Sequence, residues 1–363
     1  MPEQVLQIVP KLPPAIDGVG DYSLNLARQF RKNSGIETCF VVGDPSWSGA
    51  SEIEGFSVLQ VKERSPEVLC ALLSNYPPMP VLLHYVGYGY AKRGCPLWLA
   101  NGLQDWQANY PNSKLVTMFH EVYALGAPWT SSFWLSPLQK YIASQLVRMS
   151  DRVLTSNQFM KRILTHLSAH TSITVSTLPV FSTIGESESL PTLCERQRQL
   201  VVFGHRNSRL QVYQQCQVAL EQVCRALKIE AICDIGTPTG LDFSSCISVP
   251  VVEKGITDAA EVSSILTNAV AGFLNFPPPR FLAKSTVFAS YCAHGVIPCM
   301  VNSSSESIDG LIGGKQYWAE TAPNNSLSLD TAQTIADNAH TWYQTHNITV
   351  QAKTFTSHLE LLK

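Results

Sequence analysis

Four short stretches of this chain bring together residue types that could handle a charged or hydroxylated ligand. The first is Gly18-Val19-Gly20-Asp21. Glycines let a backbone approach a ligand closely, and a helix that starts there offers unpaired N–H groups and a partial positive charge. The alternative is a flexible loop leading into a helix. The second is His120-Glu121, at the end of an apolar run. A histidine so placed donates to a hydroxyl or phosphate, acts as acid or base, or merely caps a sheet. The third, Gly204-His205-Arg206-Asn207-Ser208-Arg209, follows another apolar run. The forks of Arg206 and Arg209 suit a diphosphate, or they are ordinary surface arginines. The fourth, Lys284-Ser285-Thr286, opens an expected helix, where lysine and hydroxyls suit a phosphate or serve as a simple cap. Tyr85, Tyr88 and Tyr90 alternate with smaller residues, and their rings stack on a sugar or pack in a core.

Several other chemistries lack their motifs. There is no Asp-x-Asp pair to hold a metal–diphosphate complex and no Gly-x-Ser-x-Gly elbow. The spaced glycines of a phosphate-binding loop are missing before Lys284. His166 and His170 share a helical spacing but lack the intervening Glu and an obvious third ligand, so no metal is expected. Gly18 to Gly20 matches a dinucleotide fingerprint poorly, because Ser23 holds the third glycine's place and the loop from Val9 is long. A nicotinamide-dependent enzyme using Gly18 and Asp44 is kept as an alternative.

These stretches need a scaffold. Short apolar runs alternate with amphipathic stretches along the chain, which predicts mainly parallel sheets with helices on both faces. Val5–Val9, Thr38–Val42, Val81–Val86, Leu115–Phe119, Arg152–Thr155 and Ile173–Leu178 read as strands of one domain. Ser65-Pro66 and Ser136-Pro137 read as helix starts, with a cap followed by Pro. Ser182 to Gln197 is rich in Ser, Glu and Thr and breaks the rhythm. The expected division is a first domain over 1–183, a linker over 184–197, a second domain over 198–345 and a final helix over 346–363. In doubly wound sheets ligands bind beyond the carboxyl ends of the strands, where all four stretches fall.

The 363 residues suit two domains, and 45% hydrophobic against 15% charged residues supplies two cores. A net charge of −2 gives no basic field for nucleic acid. It does not demand a membrane-surface role either, although a local patch would escape the count and peripheral contact stays open. No apolar run approaches the ~18 residues that span a bilayer, and no signal peptide opens the chain. Ten scattered cysteines without a Cys-x-x-Cys read as reduced thiols, so a cytoplasmic location is expected.

Taken in order, these stretches resemble the GT-B glycosyltransferases, whose two Rossmann-like doubly wound domains face each other across a cleft. The run from Pro13 to Ala27 resembles that family's opening loop and first helix. His120-Glu121 resembles its His-Asp at a strand end. Gly204 to Arg209 falls where the donor diphosphate meets basic residues, and Ala293-His294-Gly295-Val296-Ile297-Pro298 resembles the end of the donor-site helix. The resemblance implies transfer of a sugar, a hexose by expectation, from a nucleotide-sugar donor to an acceptor such as a glycan, lipid or small molecule, without a tightly bound metal or other cofactor. The final helix would pack back on the first domain, and His120 would be catalytic. Gly18, Val19, Gly20, Asp21, Tyr85 and Glu121 would face the acceptor and the transferred sugar. Gly204, Arg206, Arg209, Lys284, Ser285 and Thr286 would hold the donor. Retaining members carry two glutamates, which counting back from Gly295 puts at Leu282 and Ser290. Neither is acidic, so a GT-B-like protein that binds sugar or nucleotide without transfer is the alternative.

Overall fold

Alternate residues of the central strands enter different cores, and this period of two explains the architecture. In the computed structural model, which describes residues 3–124, 126, 129–168, 172–276, 279–319 and 327–361, the chain divides into two units. The first holds β1 (Gln4–Val9), α1 (Gly18–Ser34), β2 (Glu37–Val42), β3 (Glu52–Ile53), β4 (Phe56–Gln60), α2 (Pro66–Ser74), β5 (Val81–Tyr85), α3 (Gly87–Tyr90), α4 (Leu97–Asn109), β6 (Leu115–Phe119), α5 (Ser131–Met149), β7 (Arg152–Thr155), α6 (Gln158–Leu167) and β8 (Val175–Thr177). Its sheet runs β3-β4-β2-β1-β5-β6-β7-β8, parallel except for β3 against β4. Leu6, Ile8 and Val41 join one core with residues of α2, α4, α5 and α6. Val9, Phe40 and Val42 join another with Leu24 and Ala27 of α1. Both faces are therefore covered, as a parallel sheet requires.

The second unit holds β9 (Gln197–Phe203), α7 (Arg206–Gln215), α8 (Gln217–Ala226), β10 (Ala231–Ile235), β11 (Val251–Gly255), α9 (Ala259–Asn268), β12 (Ala269–Leu274), α10 (Thr286–Ala293), β13 (Ile297–Met300) and α11 (Leu329–Gln344). Its sheet runs β11-β10-β9-β12-β13, all parallel. The last helix, α12 (Ile348–His358), belongs to the first unit, where Thr349 Oγ1 accepts from Gln29 of α1 at 3.1 Å.

Each sheet reverses its strand order once, between β1 and β5 and between β9 and β12. The same device sits at both reversals. The buried Tyr90 hydroxyl reaches the carbonyls of Ile8 at 3.0 Å and His84 at 2.9 Å, on the two diverging strands. The buried Tyr291 hydroxyl reaches Val201 O at 2.9 Å and Phe273 O at 3.2 Å. Room for the second ring comes from Gly272, where a Cβ would collide with it.

Two expectations differ from this architecture. The segment 184–197 is part of the second unit, and the division falls between Pro179 and Val180. Leu193 enters that unit's core, and Arg196 donates to the carbonyls of Pro191, Ala269 and His294. Its polar composition marks the surface of a unit and not a tether. Ser136-Pro137 also lies inside α5 and does not open it. Pro137 faces solvent, so water can satisfy the carbonyl it leaves unbonded. At Ser65-Pro66 the expected cap does form, with Ser65 Oγ accepting from Val68 N at 3.2 Å.

Candidate functional site

In the first unit, polar side chains line the reversal between β1 and β5. Gln7, His84 and Thr38 each interrupt an apolar strand on the side facing α1, and all are buried. Gln7 donates to Thr38 Oγ1 at 3.5 Å, and its Oε1 lies 2.8 Å from His84 Nε2. His84 Nδ1 lies 3.1 Å from Nε2 of His120, at the end of β6. The amide oxygen only accepts, so His84 carries its proton on Nε2 and accepts on Nδ1. His120 therefore donates from Nε2, and Nδ1 is the acceptor nitrogen of its neutral ring. Burial, and then the neighbouring His120, hold His84 well below the ordinary histidine range. His84 thus stays a neutral acceptor beside His120. Tyr22 of α1 packs edge-on against His120, with centroids 5.1 Å apart, and its hydroxyl donates to Gln351 of α12. The arrangement sets the ring of His120 against a row of neutral partners.

The Gly18–Asp21 stretch is helix α1 itself and not a loose loop. Asp17 caps it, with Oδ1 accepting from Val19 N at 3.0 Å and Gly20 N at 2.8 Å. Those two amides are committed to a carboxylate already, which removes the anion site expected from them. Gly20 is a packing glycine, because a Cβ would collide with Lys11 O. Gly18 stays exposed and Val19 partly so. Burial and the charge of Asp17 raise the Asp21 carboxyl, against the pull of Arg28. Glu121 is exposed next to His120. Tyr85, expected at a sugar, is instead a fully buried core side chain packed on Phe119, because it points to the face opposite His84. Asp44 is held by Lys11 at 3.2 Å, Arg64 at 3.3 Å and Ser46, which leaves it poorly disposed toward a cofactor ribose.

In the second unit, two of the expected stretches flank the reversal between β9 and β12. Gly204 ends β9 with φ of +121°, a backbone conformation that favours glycine, and a Cβ there would lie 3.2 Å from Val287 in the first turn of α10. Ser285 caps α10 by accepting from Phe288 N at 3.2 Å. Thr286 opens the helix, and Lys284 precedes it with its ammonium 5.9 Å from the Phe281 ring. The Thr286 and Val287 amides have no partner within the helix at that position.

The two arginines separate. Arg206 remains at the surface, donating to Pro238 O at 3.0 Å and Thr239 O at 2.6 Å. Arg209 turns inward and is 1% exposed. It is paired with Asp234 and donates to Gly204 O at 3.0 Å and to Thr237 O. Gly236 must be glycine to admit it. The expectation that Arg209 meets a diphosphate is thereby corrected, since its fork is spent on tying the loop after β9 to the loop after β10. Burial pushes the Asp234 carboxyl up, and Arg209 opposes the push. Of the positions counted as family glutamates, Leu282 is buried, and the buried Ser290 hydroxyl meets Ser182 at 3.0 Å.

The sequence reading missed Gln7, His84, Thr38, Tyr22 and Gln351. The signal available was a lone polar residue at the inward position of an otherwise apolar strand, present at Gln7 and His84. His166 is exposed on α6, and His170 lies outside the described residues. Among the described residues no group of three or more metal-ligating side chains occurs, and no helix is long and apolar enough to cross a membrane.

No protein-family model matches the chain, and no curated protein matches it. Solved structures do. An alpha-glucosyltransferase in complex with UDP aligns over 98% of this chain and 99% of its own, at 14% identity and a TM-score of 0.60. HepE of Anabaena, in complex with UDP and glucose, aligns over 99% of each chain at 11% identity and a TM-score of 0.60. The alpha,alpha-trehalose 6-phosphate synthase of Burkholderia multivorans aligns over 99% of this chain and 96% of its own, at 10% identity and a TM-score of 0.59. At such identities the likeness carries the fold.

Proposed function

We propose that this chain, whose fold is that of the GT-B glycosyltransferases, transfers a hexose from a uridine-diphosphate sugar to a hydroxyl acceptor. The observation that carries the reading is the placement of Gly204 and Lys284-Ser285-Thr286 on the two sides of the β9–β12 reversal. Ligands of doubly wound sheets bind at such a point. The diphosphate lies over the Gly204 turn and the start of α10. Lys284, the first amides of α10 and the remaining donors of Arg206 meet its charge as the bond to the sugar breaks. Charge stabilisation of this kind contributes about 3–4 kcal/mol for a single donor. His120 accepts a hydrogen bond or a proton from a sugar hydroxyl at Nδ1, and His84 fixes the ring. The names of the first two neighbours above, each in complex with UDP, support the choice of uridine. No metal is required in this reading.

A second reading is a protein that binds the nucleotide sugar without transfer. The buried Leu282 and Ser290, and the inward Arg209, favour it. One experiment separates the two. Melting temperature is measured with UDP, GDP, ADP and NAD, with and without chelator, and release of UDP from UDP-glucose is then assayed with candidate acceptors. A UDP shift that survives chelator and is lost in Lys284→Ala supports the site. Turnover lowered about a hundredfold in His120→Ala, with the UDP shift unchanged, supports transfer. UDP binding without turnover selects the second reading. A shift with NAD alone, or with no diphosphate at millimolar concentration, sinks both.

A further inference from the structure

The first unit carries a surface that the transferase reading does not use. Helix α5 spans 19 residues without a single carboxylate. Phe133, Trp134, Pro137, Lys140 and Tyr141 form its outward stripe. Trp129, just before the helix, is 86% exposed, Trp134 is 73% and Tyr141 is 54%. The Phe133 and Trp134 rings meet edge to face at 5.5 Å, so the aromatics form a patch and are not scattered singly. Clustered exposed apolar groups mark an interaction site.

Along this stretch of the chain the charge is almost all of one sign. From Val122 to Gly185 the only acid is Asp151, against Lys140, Arg148, Arg152, Lys161 and Arg162. Asp151 lies at the amino end of β7 and accepts from Leu115 N at 2.8 Å. Strands β6, β7 and β8 are neighbours and parallel, so right-handed crossovers lay α5 and α6 side by side on one face, starting from the same edge. Helix α6 also lacks carboxylates, and it borders a depression of about 450 Å³ lined by Gln158, Lys161, Arg162, Thr165 and His166. Gln139 of α5 donates to Arg93 O at 3.0 Å, which brings the exposed Lys92 and Arg93 alongside.

We propose that the α5–α6 face of the first unit docks on an anionic lipid bilayer. The α5 aromatics enter the headgroup layer, and Lys140, Lys161 and Arg162 meet lipid phosphates. Tryptophan and tyrosine suit that layer because one edge is apolar and the other hydrogen-bonds, while lysine and arginine stems reach past them to the phosphates. A second copy of the chain is a poor occupant, because two such faces would oppose cation to cation across a two-fold axis. Nucleic acid is disfavoured by the chain's net charge of −2. The inference is independent of the transferase reading.

The test is co-sedimentation of the full chain with phosphatidylcholine vesicles, with and without phosphatidylglycerol. Binding is expected only to the anionic vesicles, weakened by salt and accompanied by a blue shift of tryptophan emission. The Trp129→Ser/Trp134→Ser double variant alters exposed side chains, so it keeps the parent's melting temperature while binding at least roughly tenfold more weakly. Lys161→Glu/Arg162→Glu reduces the preference for phosphatidylglycerol by a similar factor. The proposal is overturned if the tryptophan variant binds like the parent or if vesicle charge makes no difference. Two other results also overturn it: displacement of the vesicles by an oligonucleotide, and self-association that the tryptophan variant abolishes in a chain that does not bind vesicles.

Discussion

Arg209 and Asp234 form an ion pair with no solvent around it, at 1% and 0% exposure. Burying both charges is costly, and the pair is held because three carbonyl and carboxylate acceptors share one guanidinium. Arg209→Met leaves the Asp234 carboxylate buried alone and is expected to cost about 3–5 kcal/mol in urea unfolding. Adding Asp234→Leu to it should return most of that loss, which a residue serving only a ligand would not do. A second residue sets a pH limit. His346 is 2% exposed against Trp342, and burial lowers its pKa to about 3. The unfolded chain binds a proton near pH 6.5 and the folded chain does not, so the His346 contribution is complete above 6.5 and is lost as pH falls toward 3. At pH 5 the loss is about 2 kcal/mol from this residue alone. Unfolding measured at pH 7.5 and pH 5 should show a smaller difference in His346→Leu than in the parent.

Among the elements, α10 and β12 fit closely against each other. The Tyr291 ring lies on the sheet only because Gly272 has no side chain, and its hydroxyl serves two strand carbonyls. Gly272→Ala forces ring or strand to move and is expected to destabilise by about 1–3 kcal/mol. A chemical-denaturation midpoint equal to the parent's would refute that fit. The alternation of strands and helices was legible where a strand is short, apolar and followed by a cap or a turn residue, whereas β3, β4 and β11, which are very short or carry exposed polar residues, did not stand out. Ser65, Ser285 and Gly204 all do what their types suggest. Pro137 misleads because a proline on the solvent side of a helix carries the same local signature as one at its start. The His84 row stayed hidden for a related reason. One polar residue in a strand costs little in pattern, and its partners are 36 to 77 residues away in the chain. Tyr85, next to His84, shows how a period of two sends neighbours to opposite faces and to different roles.

At the scale of the whole molecule, the two units differ in continuity. Residues 180–347 form the second unit as one uninterrupted stretch, while the first needs 1–179 together with 348–363. Only the family resemblance implied this return of the final helix to the first unit; composition and periodicity carry no sign of it, because the helix is separated from its neighbours by an entire sheet. A fragment of residues 180–347 is expected to fold cooperatively on its own. A fragment ending at Pro179 lacks Gln351, the acceptor of the buried Tyr22 hydroxyl, and is expected to be less stable by several kcal/mol. Circular dichroism melts of the two fragments would decide, and a 1–179 fragment as stable as the first unit in the full chain would refute it. The return of α12 also sets an order in time. During synthesis residues 1–179 emerge first, yet the first unit waits with its α1 surface uncovered while the whole second unit is made, until Ile348–His358 leave the ribosome. A nascent chain stalled within the second unit would hold an early unit that is nearly complete and still open, and that interval is when the first unit most needs a chaperone.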